Sequence, residues 1–203
     1  MSENPRIAFF DAIARRWDGL MDLAVVARKL DEGLAAFGAA QDELVLDVGC
    51  GTGNLTSALL RRLGPDGRVI AVDIALKMIE EARRKVDDAR VKWFAAAAAR
   101  LPVENDVIDR VICFSVWPHF PDPMAVAVEL LRVLKPGGKL HVWHIDSRET
   151  INRVHAGAGE AVHHNVLVPA VELRLLLARC GFDQIEMHDD DEGYLVGARK
   201  PAG

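Results

Sequence analysis

Three groupings of residues in this sequence could do chemistry. The first is the run Asp47-Val48-Gly49-Cys50-Gly51-Thr52-Gly53, in which a carboxylate precedes three closely spaced glycines. Where such a run joins a strand to a helix, the missing side chains let a ligand approach the backbone and the amides of the helix N-terminus. The second is Asp73, twenty residues after Gly53 and followed by Ile74. A carboxylate at the tip of a neighbouring strand is placed to accept hydrogen bonds from both hydroxyls of a ribose. The third is a set of histidines, His119, His144, His155, His163 and His164, five of the seven in the chain, in segments expected to face one mouth.

The glycine spacing discriminates between ligands. A dinucleotide site calls for G-x-G-x-x-G, whereas position 54 is Asn54 and the third glycine comes one residue early. Asp47 would also repel a pyrophosphate but attract an ammonium or sulfonium group. The charge therefore favours S-adenosylmethionine over a dinucleotide.

These residues need a scaffold, and the chain supplies a readable one. Apolar, β-branched runs at Leu44 to Val48, Arg68 to Val72, Val91 to Phe94, Arg110 to Phe114 and Lys139 to His144 read as buried parallel strands. Helical segments fall between them at Gly53 to Leu63, Ala75 to Val86 and Met124 to Leu134, and Pro169 to Cys180 follows, with Gly181 suited to a left-handed stop. Phe182 to His188 and Tyr194 to Arg199 are separated by too few residues for a crossover helix, so they must pair antiparallel. Ahead of the sheet, a segment around Trp17 and another from Met21 to Phe37 read as two amphipathic helices.

In these residues the sequence resembles the class I S-adenosylmethionine-dependent methyltransferases, particularly the small ubiquinone and menaquinone type. Val45 to Gly53 looks like that family's first motif and Val72-Asp73 its second. Leu101-Pro102 with Ile108 to Val111, and Leu134 to Leu140, look like its entries to strands four and five. The resemblance implies an α/β, Rossmann-like fold: a seven-stranded, mostly parallel sheet in the order 3-2-1-4-5-7-6, helices on both faces and a terminal antiparallel hairpin. It also implies the contacts. The loop of Asp47, Gly49, Cys50, Gly51 and Gly53 would hold the methionine part, Asp73 beside Ile74 the ribose, and Phe114 and Ser115 the amino group through backbone atoms. Where the family usually carries an acid that accepts from the adenine amino group, this chain has Ala97 followed by Ala98. Losing that hydrogen bond would cost about 1 to 2 kcal/mol of cofactor affinity.

The expected activity is methyl transfer (EC 2.1.1.-) from S-adenosyl-L-methionine to a small molecule, leaving S-adenosyl-L-homocysteine. His144 and His163 are the first candidates for a base, with His119 a third or a loop brace. A non-catalytic cofactor-binding protein and a nucleotide-dependent oxidoreductase are the alternative readings. No tight His or Cys pair spacing indicates a metal site. A net charge of -5 without basic blocks speaks against a nucleic-acid partner. Three cysteines at unrelated spacings read as reduced. With no apolar run long enough to span a membrane and no leader pattern, a cytoplasmic protein is expected, monomer or homodimer. The 203 residues read as one domain: N-terminal helices 1–40, cofactor core 41–145, a substrate lid 146–168 and a closing helix and hairpin 169–203.

Overall fold

The computed structural model describes residues 4–38 and 41–203. Helix α1 (Pro5–Ile13) starts where the Asn4 side chain accepts from the Arg6 amide, with proline in the first turn, where no amide hydrogen is needed. A 3-10 segment, Ala14–Leu20, leads to α2 (Leu23–Ala36). That helix begins later than Met21 because Asp22 stays extended and caps the amides of Ala24 and Val25.

From there strands and helices alternate as β1 (Leu44–Val48), α3 (Asn54–Arg62), β2 (Arg68–Asp73), α4 (Leu76–Lys85), β3 (Val91–Ala95) and β4 (Ile108–Phe114). Then come α5 (Pro123–Val133), β5 (Leu134–His144), α6 (Arg148–Ala156), α7 (Ala170–Arg179), β6 (Asp183–Asp189) and β7 (Tyr194–Arg199). Among the described residues the strands form one seven-stranded sheet in the order β3-β2-β1-β4-β5-β7-β6. The first five are parallel, and β7 runs antiparallel to both β5 and β6. This is the Rossmann-like order that the resemblance implied.

Three local departures have physical reasons. Helix α5 stops at Val133, and Leu134 is already the first residue of β5, paired with Ile108. The register then shifts so that Lys135 to Gly138 bulge out before Lys139 pairs with Arg110, a conformation open to Gly137 at φ +77° and one in which Pro136 has no ladder bond to give up. The third departure is α6, which lies inside the segment read as a lid and is capped by Ser147. Gly181 takes the left-handed conformation expected after α7, at φ +101°.

Alternate residues of each strand feed two apolar layers. Leu46, Val111, Leu140 and Val196 pack with α5 and α7, whereas Val45, Ile112 and Trp143 pack with α2 and α3. On the second face Gly33 lets α2 close onto the sheet, since a Cβ there would overlap the Trp143 indole. Arg110, wholly buried, ties the lower rim together: it pairs with Glu43 at 2.7 Å, donates to the Phe37 carbonyl and donates to His141 Nε2 at 2.7 Å. Cys50, Cys113 and Cys180 are all free thiols.

Candidate functional site

Parallel strands place their carboxyl ends on one edge, and there β1, β2 and β4 open into a cavity of about 220 Å³. Its floor is the glycine loop. Gly49, Gly51 and Gly53 have φ of +71°, +52° and +82°, a region that excludes most side chains. The amides of Gly49 and Cys50 donate to the Val72 carbonyl at 2.7 and 3.0 Å, fastening the loop to β2. A Cβ on Gly49 would run into Val116, so the close approach of the two loops also requires glycine.

Two carboxylates accompany this loop. Asp73 ends β2, and its oxygens accept from the amides of Gly51 at 2.9 Å and Ala75 at 2.8 Å. Burial raises its pKa, against the opposing pull of those amides. Each oxygen keeps acceptor capacity for a hydroxyl. Asp47 is fully buried, its Oδ2 accepts from Thr56 Oγ1 at 2.6 Å, and its Oδ1 has no partner. Desolvation pushes its pKa up to about 7, countered in part by the Thr56 hydrogen bond. A buried carboxylate with a bare oxygen suits a cation placed over the loop.

Beyond Asp73 the wall is Ala96 to Ala99, with no side-chain acceptor. Across from it, Ser115 leaves β4 at φ +52°, its amide held by the Trp143 carbonyl at 2.9 Å, and Val116, His119 and Phe120 follow. Burial, together with nearby His155, His144 and Arg6, lowers the His119 pKa to about 3, so the ring is neutral.

The roof comes from the N-terminal segment. Arg6, Phe10 and Trp17 reach the cavity. Helix α1 is held over α4 because Asp11 accepts from the Lys77 amide at 2.8 Å and Ile13 packs with Ala14, Ala75 and Met78. The 3-10 segment is held by Asp18, which accepts from Thr52 Oγ1, from Asn54 Nδ2 at 3.1 Å and from Lys85 Nζ at 2.7 Å.

Of the residues expected from sequence, Gly49, Gly51, Asp73, Ile74, Ala97, Ala98, Ser115 and His119 line the cavity. Asp47 and Cys50 are buried beside it, Gly53 precedes the first turn of α3, and Phe114 leans on Trp143 with ring centroids 5.1 Å apart. Neither His144 nor His163 lines the cavity. His144 is sealed inside, because β5 pairs it with Tyr194 and its ring packs edge-on against that phenol. His163 is half-buried beside the exposed His164, its Nδ1 donating to the Glu160 carbonyl at 2.8 Å. The roof residues Arg6 and Phe10 were not anticipated. One signal pointed to a roof: Ala75 cannot cap α4, so its first turn needs a partner from elsewhere. No group of three or more His, Cys, Asp or Glu among the described residues could hold a metal ion. No helix among them is long and apolar enough to cross a membrane.

Known proteins share both the sequence core and the architecture. Residues 45–138 match the family model for a methyltransferase domain. A demethylmenaquinone methyltransferase from Geobacillus sp. (strain WCH70) is 30% identical over 137 residues, covering 64% of this chain and 58% of that protein. An arsenite methyltransferase from Halobacterium salinarum is 30% identical over 220 residues, covering 89% of this chain and 54% of that protein. The chain thus spans little more than half the length of these curated relatives. Among solved structures, a chain from the complex between the Haloferax volcanii Trm112 methyltransferase activator and a methyltransferase superposes with a TM-score of 0.76. It is 21% identical, and the match covers 95% of this chain and 97% of that one. The matched segment carries the glycine loop, the β2 carboxylate and the parallel strands that hold them together, the features this chain shares with class I S-adenosylmethionine-dependent methyltransferases.

Proposed function

We propose that this chain binds S-adenosylmethionine and transfers its methyl group to a small-molecule acceptor. The observation that carries the reading is the pair of carboxylates at the glycine loop: Asp73 lines the cavity with its oxygens on the Gly51 and Ala75 amides, and Asp47, on the strand that runs into the loop, is buried with one oxygen unpartnered. The residues fit the cofactor. Asp47 would supply a counter-charge for its cationic methionine end, Asp73 would accept from the ribose hydroxyls, and the small side chains Ala96 to Ala99 would flank the base. When bound, the cofactor supplies a methyl group activated by a positive sulfur.

The chain's own contribution is position and exclusion of water. Phe10, Trp17 and Phe120 close an apolar chamber over the loop. Within the chamber His119 is neutral and can hold the acceptor. His144 and His163 do not line this cavity, the first being buried against Tyr194 and the second half-buried beside His164. A partly open, mostly apolar cavity of this size suits a small molecule.

The test is release of S-adenosylhomocysteine when the protein and S-adenosylmethionine are mixed with a dialysable cell fraction. Release that depends on this fraction, and not on the retained protein and nucleic acid, is the expected outcome. Release with only the retained fraction would contradict the assignment of a small acceptor.

A further inference from the structure

One charged side chain of the chamber has no task in the proposed transfer. Arg6 lines the cavity from the first turn of α1, and its Nη2 donates to Asn165 Oδ1 at 2.7 Å. Its Nε is buried without a partner, and among the described residues no carboxylate forms an ion pair with it. The acids that line the same cavity are engaged elsewhere: Asp73 with the amides of Gly51 and Ala75, Asp122 with the amide of Ala125 at the start of α5. A guanidinium in an apolar chamber without a counter-anion is costly unless a ligand supplies one.

Asn165 extends this arrangement. It is 4% exposed, and with its oxygen accepting from Arg6 its amide nitrogen donates to His119 Nδ1 at 2.6 Å. His119 therefore carries its proton on Nε2 and can donate there. The Asn165 carbonyl in turn accepts from His155 Nδ1 at 2.9 Å, which fixes the loop that carries it. Arg6 and His119, from two distant segments, are thus held by one buried asparagine, and both offer donors.

We propose that the methyl acceptor carries a carboxylate, which Arg6 and His119 Nε2 bind while the rest of the molecule lies against Phe10, Trp17 and Phe120. The inference rests on the methyltransferase reading of the same cavity. A guanidinium binds a carboxylate through two parallel hydrogen bonds, and a neutral imidazole N–H adds a third donor without needing a proton from solvent. The carboxylate is the handle, so the atom that accepts the methyl group is another nucleophile of the same molecule.

The experiment titrates S-adenosylhomocysteine-loaded protein with acetate, benzoate, phenylpropionate and cinnamate, each beside its neutral amide, in wild type and Arg6→Gln. At least one acid is expected to bind tenfold or more tightly than its amide in wild type. That preference should vanish in Arg6→Gln while S-adenosylhomocysteine affinity stays within threefold. Equal binding of every acid and its amide, or a preference that survives in Arg6→Gln, overturns the inference and leaves the cofactor reading standing. Failure of the wild-type protein to bind S-adenosylhomocysteine overturns both, and the two failures are thereby distinguished.

Discussion

Asp47 and Thr56 share a 2.6 Å hydrogen bond inside the protein, and it satisfies only one of the two carboxylate oxygens. The other oxygen is buried without a partner on the strand that runs into the glycine loop, and desolvation raises the pKa of the group from 3.8 to about 7. This pair links the core of the sheet to the charge that the ligand must carry.

The consequence for stability has a definite sign. A carboxylate whose folded pKa lies above its unfolded value favours folding when protonated, so its contribution is lost as pH rises from about 4 to about 7. The loss approaches roughly 4 kcal/mol for a shift of this size. Urea unfolding across this interval should therefore show Asp47→Asn gaining on wild type as pH rises. The difference should stop growing above pH 7, and S-adenosylmethionine, bringing a cation to the bare oxygen, should stabilise wild type more than the variant.

His144 has the opposite sign. Burial lowers its pKa to about 3, with His155 adding to the effect, and neither ring nitrogen has a hydrogen-bond partner. Its neutral form is fully stabilising above pH 6.5, and stability is lost as pH falls through the unfolded pKa toward about 3. Replacing it by phenylalanine, which keeps the edge-on contact with Tyr194, should stabilise the protein by about 2 kcal/mol more at pH 5 than at pH 8. Chemical denaturation at the two pH values measures the difference.

Gly49 makes a steric prediction. A methyl group at this position would overlap Val116 and force a left-handed conformation on a side-chain-bearing residue. Gly49→Ala should lose at least tenfold in S-adenosylmethionine affinity by calorimetry. Pairing it with Val116→Ala should recover part of that loss, because the overlap is removed and the backbone strain stays.

The adenine end tests the pocket from the other side. Ala97 lines the cavity and offers no side-chain acceptor. Ala97→Asp should tighten cofactor binding by about 1 to 2 kcal/mol, the worth of one added hydrogen bond. Unchanged or weaker binding in a folded variant would show that the base lies elsewhere.

The sheet order and the cofactor floor were legible because short-range signals specify them: apolar runs mark the strands, and Gly49, Gly51 and Gly53 mark a turn that other residues do not fit. The roof was not. Asn4 and Pro5 mark where α1 begins, but nothing local says that Asp11 caps α4 or that Arg6 reaches Asn165, 159 positions along the chain. The burial of His144 was hidden for a related reason. A residue at the end of a parallel strand normally faces the ligand edge, yet β7 pairs antiparallel along β5 to its last residue and encloses the ring against Tyr194. His119 was readable as a brace or a reacting group, and its place beside Asn165 gives it both a fixed tautomer and a face on the cavity.

The central claim is that Asp73 and the glycine loop form a site for S-adenosylmethionine. Calorimetric titration of wild type and Asp73→Ala with S-adenosylmethionine, and with NADH as the competing chemistry, tests it most directly. Saturable one-to-one binding of S-adenosylmethionine, no binding of NADH, and at least a tenfold loss of affinity in a folded Asp73→Ala variant are the predicted result. Binding of NADH in preference to S-adenosylmethionine, or equal S-adenosylmethionine affinity in the two proteins, would contradict it.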